Sequence, residues 1–429
     1  MQSHDAKKSL ISLRSSSSVA LLSLLTLVVT AQWRQASAQS ATQASITAAT
    51  VEFVDTSFEN ASPLWYEFDA AGTLQLHLVY DHERASLNRA AGHFHLRLVG
   101  QPNAEVHVEL NNLENVWNGK QSSVARELKA AVISEDGKNW KSIPMEATAD
   151  GRAGFTVNLA GGSLFVARVE PYRISDLNNL LDRIRKHPKV TITSIGATHD
   201  GRDLEIVQIG NSAAPNRVFL RARAHPWEAG GNWIVEGLIQ RLLQEDEFSK
   251  RCLQHYCVYI MPMANKDGVA RGRTRFNLLG KDLNRNWDKP ADAALAPENA
   301  ALEKWLVAMI DSGKQPHLAI ELHNDGNGQL HISRPPVANL DQHLERMMIL
   351  ESLLRRYTWF TEGSTKAAFR NSGTLGDGWF ERFGIDALVH EFNCNWIAGL
   401  ETRPLSQHWK QYGEQLTLVF DDYFAAVKD

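Results

Sequence analysis

Between residues 50 and 170, apolar side chains recur at every second position. Leu74, Leu76 and Leu78 share one face, as do Phe94, Leu96 and Leu98, and then Val106, Val108 and Leu110. Such alternation marks half-buried strands, because successive side chains point to opposite faces of a sheet. Asp136-Gly137 and Gly161-Gly162 supply turn chemistry between the runs. Strands with no helical period between them predict an all-β antiparallel sandwich.

From residue 171 the period changes. Ser175-Asp176 reads as a helix start ahead of Leu177, Leu180, Leu181 and Ile184. Strands follow at 190–195 and 204–209, around the turn Asp200-Gly201-Arg202. A buried strand at 218–224 then precedes an amphipathic helix at 229–243. Strand and helix go on alternating: strands at 258–261, 318–322 and 387–392, helices at 297–310, 340–357 and 405–427. This order predicts an α/β domain, a mixed and mainly parallel sheet flanked by helices. The chain accordingly divides into a sandwich domain at 39–170 and an α/β domain at 171–429. Ligands in such sheets settle beyond the carboxyl ends of the strands. The residues just past each strand are therefore the first candidates for chemistry.

Length agrees with two domains, since 429 residues exceed what one core usually takes. Hydrophobic residues make up 43% and the formal net charge is −4, which speaks against a nucleic-acid partner. Residues 1–38 read as a leader outside the fold. Lys7, Lys8 and Arg14 precede an apolar stretch at 19–29, too short for a membrane span, and Ala36-Ser37-Ala38 offers a small-x-small cleavage pattern. Those features predict a secretory signal peptide, a secreted or periplasmic protein, and no stable membrane insertion after cleavage. Cys252, Cys257 and Cys394 are an odd set with no Cys-x-x-Cys clip; Cys252 and Cys257 read either as one bridge or as buried small residues.

The chemistry-bearing residues cluster after the predicted strands. His225-Pro226-Trp227-Glu228 follows strand 218–224, and an imidazole and a carboxylate three residues apart can face one ion. Catalytic zinc takes three such N and O ligands and keeps a position open. His323, expected as an exposed strand-end residue, is the third candidate ligand. Between them lie Asn265-Lys266-Asp267-Gly268, the pair Arg273 and Arg275, and Asp282-Leu283-Asn284-Arg285-Asn286-Trp287. Guanidinium groups stay charged and bind carboxylates through a fork. Glu391 sits near the end of the apolar strand 387–392, where a carboxylate must be paired, metal-associated or pKa-shifted. His77, His93, His95 and His107 read as solvated or packing residues. Trp65, Trp117 and Trp140 in the sandwich read as core rather than as a carbohydrate platform.

Taken in order, these motifs resemble the zinc metallocarboxypeptidase family, which includes the pancreatic carboxypeptidases. The Asn-Lys-Asp-Gly-Val and Gly-Lys-Asp-Leu-Asn-Arg-Asn-Trp stretches, with a β-rich domain ahead, are most similar to the cytosolic-carboxypeptidase branch, here with a signal peptide. The resemblance implies one zinc per chain, held by His225, Glu228 and His323. It implies hydrolysis of a C-terminal peptide bond by metal-activated water, with Glu391 as general base and Arg275, in preference to Arg273, stabilising the oxyanion. Asn284 and Arg285 would bind the terminal carboxylate of a peptide or peptide-like substrate, and Asp282 would orient the His225 ring.

Two positions depart from the pancreatic pattern. Phe369 stands where those enzymes carry a tyrosine, and the specificity position falls at about Gly376, with Asp377 beside it. Two other readings remain open from sequence. One is a zinc amidase acting on cell-wall stem peptides or N-acyl amino acids; the other is a non-catalytic binding protein.

Overall fold

The computed structural model describes residues 50–84, 86–365 and 373–427. The predicted signal peptide and Phe369 lie outside the described residues. Thr50–Asp429 forms one compact unit, and no helix among the described residues is long and apolar enough to cross a membrane.

The alternating segments fold as the pattern dictates. Leu74–Leu78, His95–Gly100 and Ala104–Asn111 are strands, and their apolar face forms one core with Phe155, Val157 and Leu164. They belong to two five-stranded sheets. Pairing in these sheets is antiparallel except between Leu74–Leu78 and Ala104–Asn111, which run parallel. A smaller four-stranded sheet contains the strand Asp81–His82 and the hairpin Glu114–Trp117 and Lys120–Ser123.

The α/β region is built on a seven-stranded mixed sheet. Its four central strands, Tyr256–Met261, Asn216–Ala222, Leu318–Asp325 and Asp386–Asn393, pair in parallel in that spatial order. Val190–Ala197, Asp203–Ile209 and Leu330–Ile332 add antiparallel strands at the two edges. Both faces of the sheet are buried, so the strands read as continuous apolar runs. Val218, Leu220 and Ala222 enter one core while Phe219 enters the other.

The first core is closed by the helices Gly230–Leu242, Leu340–Tyr357 and Ser406–Ala426. Gly230–Leu242 and Ser406–Ala426 approach closely through two glycines. A Cβ at Gly237 would sit 2.0 Å from Lys410 O, and one at Gly413 would sit 1.9 Å from Ile234 O. Only glycine permits that backbone contact.

Two boundaries differ from expectation in ways that bear on the site. The first central strand ends at Ala222, two residues early, and Arg223 adopts φ of 64°. That left-handed residue turns the chain off the sheet into the His225 loop. The strand from Leu318 runs on to Asp325, so His323 lies inside it, paired with Glu391. His323 is fully buried, which corrects the expectation of an exposed strand-end histidine. The strand continues because Asp386–Asn393 gives its polar residues a complete backbone ladder.

Candidate active site

Two elements bring His225, Glu228 and His323 together. The turn after Ala222 carries the first two, ahead of helix Gly230–Leu242, and the neighbouring strand carries the third. Their ligand atoms all lie within 4.8 Å of one another, and all three side chains are buried. His225 Nδ1 lies 2.8 Å from Glu228 Oε1, and His323 Nδ1 lies 2.6 Å from Glu228 Oε2. The opposite ring nitrogens face protein groups. His225 Nε2 is 3.1 Å from Asp282 Oδ1, and His323 Nε2 is 3.3 Å from Glu321 Oε1. Carboxylates behind both rings fix each imidazole with Nδ1 toward the shared centre, the arrangement that metal-binding histidines use. A set of two imidazoles and one carboxylate fits zinc.

A cavity of about 330 Å³ opens beside this triad, lined by His225, Glu228, Arg275, Asn284, Arg285 and Glu391 among others. Glu391 comes from the strand next to His323, and its Oε2 has no hydrogen-bond partner among the described residues. Burial pushes its carboxyl well above the usual carboxylate range; His323 opposes that shift, while Asp325 and Glu228 add to it. An acceptor oxygen left free in a buried cavity is suited to receiving a proton.

The arginines separate clearly. Arg275 lines the cavity, and its Nε donates to Asp282 Oδ2 at 2.8 Å. Arg273 instead donates through Nη1 to Asp81 Oδ1 at 2.8 Å. Arg285 also lines the cavity and donates through Nη1 to Asn284 O at 2.7 Å. The Asn284 side chain is engaged with the protein: its Nδ2 lies 3.1 Å from His323 Nε2, and its Oδ1 accepts from Leu375 N at 2.9 Å.

Gly376 does not line this cavity. A Cβ there would meet Ser333 Oγ at 3.1 Å and Leu388 Cα at 3.2 Å, so the position faces packed protein. Asp377 caps its helix, accepting from Thr374 N at 3.1 Å and Thr374 Oγ1 at 3.0 Å. His331, Thr374 and Val389 line the cavity near Glu391, with His331 Nε2 3.9 Å from Glu391 Oε1. Burial holds the His331 pKa down to about 4, so its ring is neutral at neutral pH.

Several cavity residues escaped sequence reasoning because they come from the β-rich region. Trp117 lines the cavity instead of the sandwich core, as do Arg89 and Arg168. The Arg168 guanidinium sits 3.5 Å from the ring centroid of Trp227, the residue just before Glu228. The one sequence signal was Asn118-Gly119, a hairpin turn immediately after Trp117. Cys252, Cys257 and Cys394 are free and buried, with no bridge between the first two.

The family profile for zinc carboxypeptidases matches residues 177–357. An uncharacterised protein of Zymomonas mobilis is 30% identical over 169 residues, covering 39% of this chain and 43% of that protein. Cytosolic carboxypeptidase 6 of Caenorhabditis elegans is 31% identical over 131 residues, covering 29% of this chain and 28% of that protein. The chain thus spans less than half the length of these relatives. A solved metallo-carboxypeptidase from Burkholderia cenocepacia shares the fold, with TM-score 0.75 and 20% identity over 87% of this chain and 99% of that one. The ligand set is thus assembled on a carboxypeptidase-like sheet, and residues 177–357, which carry all three of its members, match the zinc carboxypeptidase family.

Proposed function

We propose that this chain is a zinc carboxypeptidase that removes the last residue of a peptide with a free C-terminal carboxylate. The observation that supports it most is the cluster of His225, Glu228 and His323, whose first two members line one cavity with Glu391, Arg275 and Arg285. One zinc held by that triad would supply Lewis acidity, polarising the scissile carbonyl and lowering the pKa of water. The protein's own groups do the rest. Arg285, with Asn284, holds the substrate's terminal carboxylate and so restricts cutting to the chain end. Arg275, braced by Asp282, stabilises charge developing on the carbonyl oxygen, by about 3 kcal/mol as for other oxyanion donors. Glu391 takes a proton from the attacking water at its free oxygen and passes it to the leaving amine.

The same reading takes 39–170 and 171–429 as a sandwich and a catalytic domain, and 1–38 as a signal peptide directing a secreted or periplasmic enzyme. The test is hydrolysis of a panel of peptides, each beside its C-terminal amide, by wild type and Glu391→Gln. Cleavage of free acids alone, abolished in the variant with zinc retained, is the expected result. Equal cleavage of acids and amides would overturn it.

A further inference from the structure

The hairpin Glu114–Trp117 and Lys120–Ser123 is closed by Asn118 and Gly119, with φ of 50° and 73°. Two positive values in a two-residue loop are what a type I′ turn needs. The tip is tied down: Asn118 N–H donates to Asn88 Oδ1 at 2.7 Å, and Arg89 pairs with Val116. Strand Lys120–Ser123 is exposed along its whole length, so this hairpin has little apolar packing of its own. Trp117 is nevertheless half-buried, because its indole turns onto the cavity. The ring centroid is 4.6 Å from Arg275 Cζ and 5.3 Å from Arg285 Cζ.

One aromatic ring thus serves two cations that would otherwise repel. Other polar contacts fix part of each guanidinium, Arg275 Nε on Asp282 and Arg285 Nη1 on Asn284 O. The remaining N–H groups must meet a substrate while water is kept from their flanks. An indole is the strongest common ring partner for a guanidinium, and the attraction grows when the pair is desolvated.

We propose that Trp117 is a positioning residue of the reaction, supplied by the β-rich region, which orients Arg275 and Arg285 together and shields them from water. The proposal rests on the reading of those two arginines as substrate-binding groups. It gives the hairpin a part in the chemistry that neither its exposed strand nor its turn would suggest.

The test uses the full zinc-loaded chain and a peptide with a free C-terminus. Trp117→Phe should stay within about threefold of wild type, while Trp117→Leu should lose about 10- to 30-fold in kcat/KM, through both a higher KM and a lower kcat. Fluorinated tryptophans placed at 117 drain the ring's negative face without changing its shape. They should lower kcat/KM stepwise with each fluorine, whether or not the leucine variant folds. A flat fluorination series would overturn the proposal, as would leucine and phenylalanine variants with equal kcat and KM. Arg275→Gln and Arg285→Gln run alongside separate the two failures. Wild-type kcat/KM in both would sink the underlying site reading, whereas losses there with a flat series would sink only the role of Trp117.

Discussion

Asp81 Oδ2 accepts the backbone N–H of Arg275 at 2.8 Å, across 194 positions of sequence. The same oxygen accepts Phe276 N–H at 2.8 Å, while Oδ1 takes Arg273 Nη1 at 2.8 Å. One buried carboxylate of the β-rich region therefore holds the loop that carries Arg275. Asp81→Asn keeps the volume but sets an N–H2 group against either Arg273 or the two backbone donors. Misplacing a catalytic group by a fraction of an ångström is costly, so kcat/KM should fall by about 10- to 100-fold with bound zinc unchanged. Peptide kinetics and zinc determination on the same preparation check this. Unaltered kinetics would mean that Arg275 holds its place without Asp81.

Much of the catalytic half was legible in the sequence. The helical period at Leu177, Leu180, Leu181 and Ile184 predicted a helix that forms at Ile174–Ile184, and 340–357 was predicted to the residue. His225, Glu228 and His323 were singled out by type and by following strands. The β-rich half gave strands but not its share of the site. Trp117 and Asp81 lie on short strands of four and two residues, which carry no readable period. Their partners are far away in sequence, and only the docked sheets bring them together. Gly376 falls outside the cavity for a related reason. Position in a motif said nothing of Ser333 and Leu388, which pack against it.

The C-terminal preference should follow His331, not Gly376. Gly376→Ala pushes a methyl toward Ser333 and Leu388, at a cost of about 1–2 kcal/mol in stability. The ranking of peptides by last residue should be unchanged in that variant. His331→Ala removes a neutral ring from the cavity wall and should re-rank the same panel by about 10-fold. A re-ranking by Gly376→Ala alone would reverse this assignment.

Glu298 should make the protein less stable as the medium turns alkaline. Its side chain is buried, Oε1 has no hydrogen-bond partner among the described residues, and Oε2 accepts from Asn277 Nδ2 at 3.0 Å. Burial pushes its pKa up to about 7 from 4.5. The folded state therefore binds this proton more tightly than the unfolded chain. The stability that it contributes is complete below pH 4.5 and is lost as pH rises through 7. Glu298→Gln should be more stable than wild type at pH 8, by up to ~3 kcal/mol, with the gap closing toward pH 4.5. Denaturant unfolding at several pH values measures it, and a pH-independent difference would refute the assignment.

Removing the metal should act on stability and on activity together. Two histidines and a glutamate crowd their ligand atoms within 4.8 Å, an arrangement that a dication would stabilise. Ligand bound only to the folded state raises stability in proportion to the logarithm of its saturation, about 4 kcal/mol at a thousandfold excess over Kd. Chelated protein should melt earlier and lose peptide hydrolysis, and one equivalent of zinc per chain should restore both. Recovery that needs two equivalents would contradict a single site.

Glu321 links the core to the metal ligands, which makes it the strictest test of the groups behind them. It is fully buried and accepts Arg221 Nε at 2.8 Å, and its Oε1 also lies 3.3 Å from His323 Nε2. Arg221, itself buried, donates further to Asn299 Oδ1 at 3.1 Å and Leu283 O at 3.0 Å. Leu283 stands between Asp282 and Asn284, so this one cluster ties the backbone behind both imidazoles to the sheet. Glu321→Gln leaves Arg221 buried without its counter-ion, which should cost about 3–5 kcal/mol of stability. It also removes the carboxylate that orients His323, which should weaken zinc by about 10- to 100-fold. Both effects can be read on one sample, by unfolding with saturating zinc and by competition with a chelator of known affinity. Lost stability with full zinc affinity would mean that the negative charge of Glu321 is not needed to orient His323.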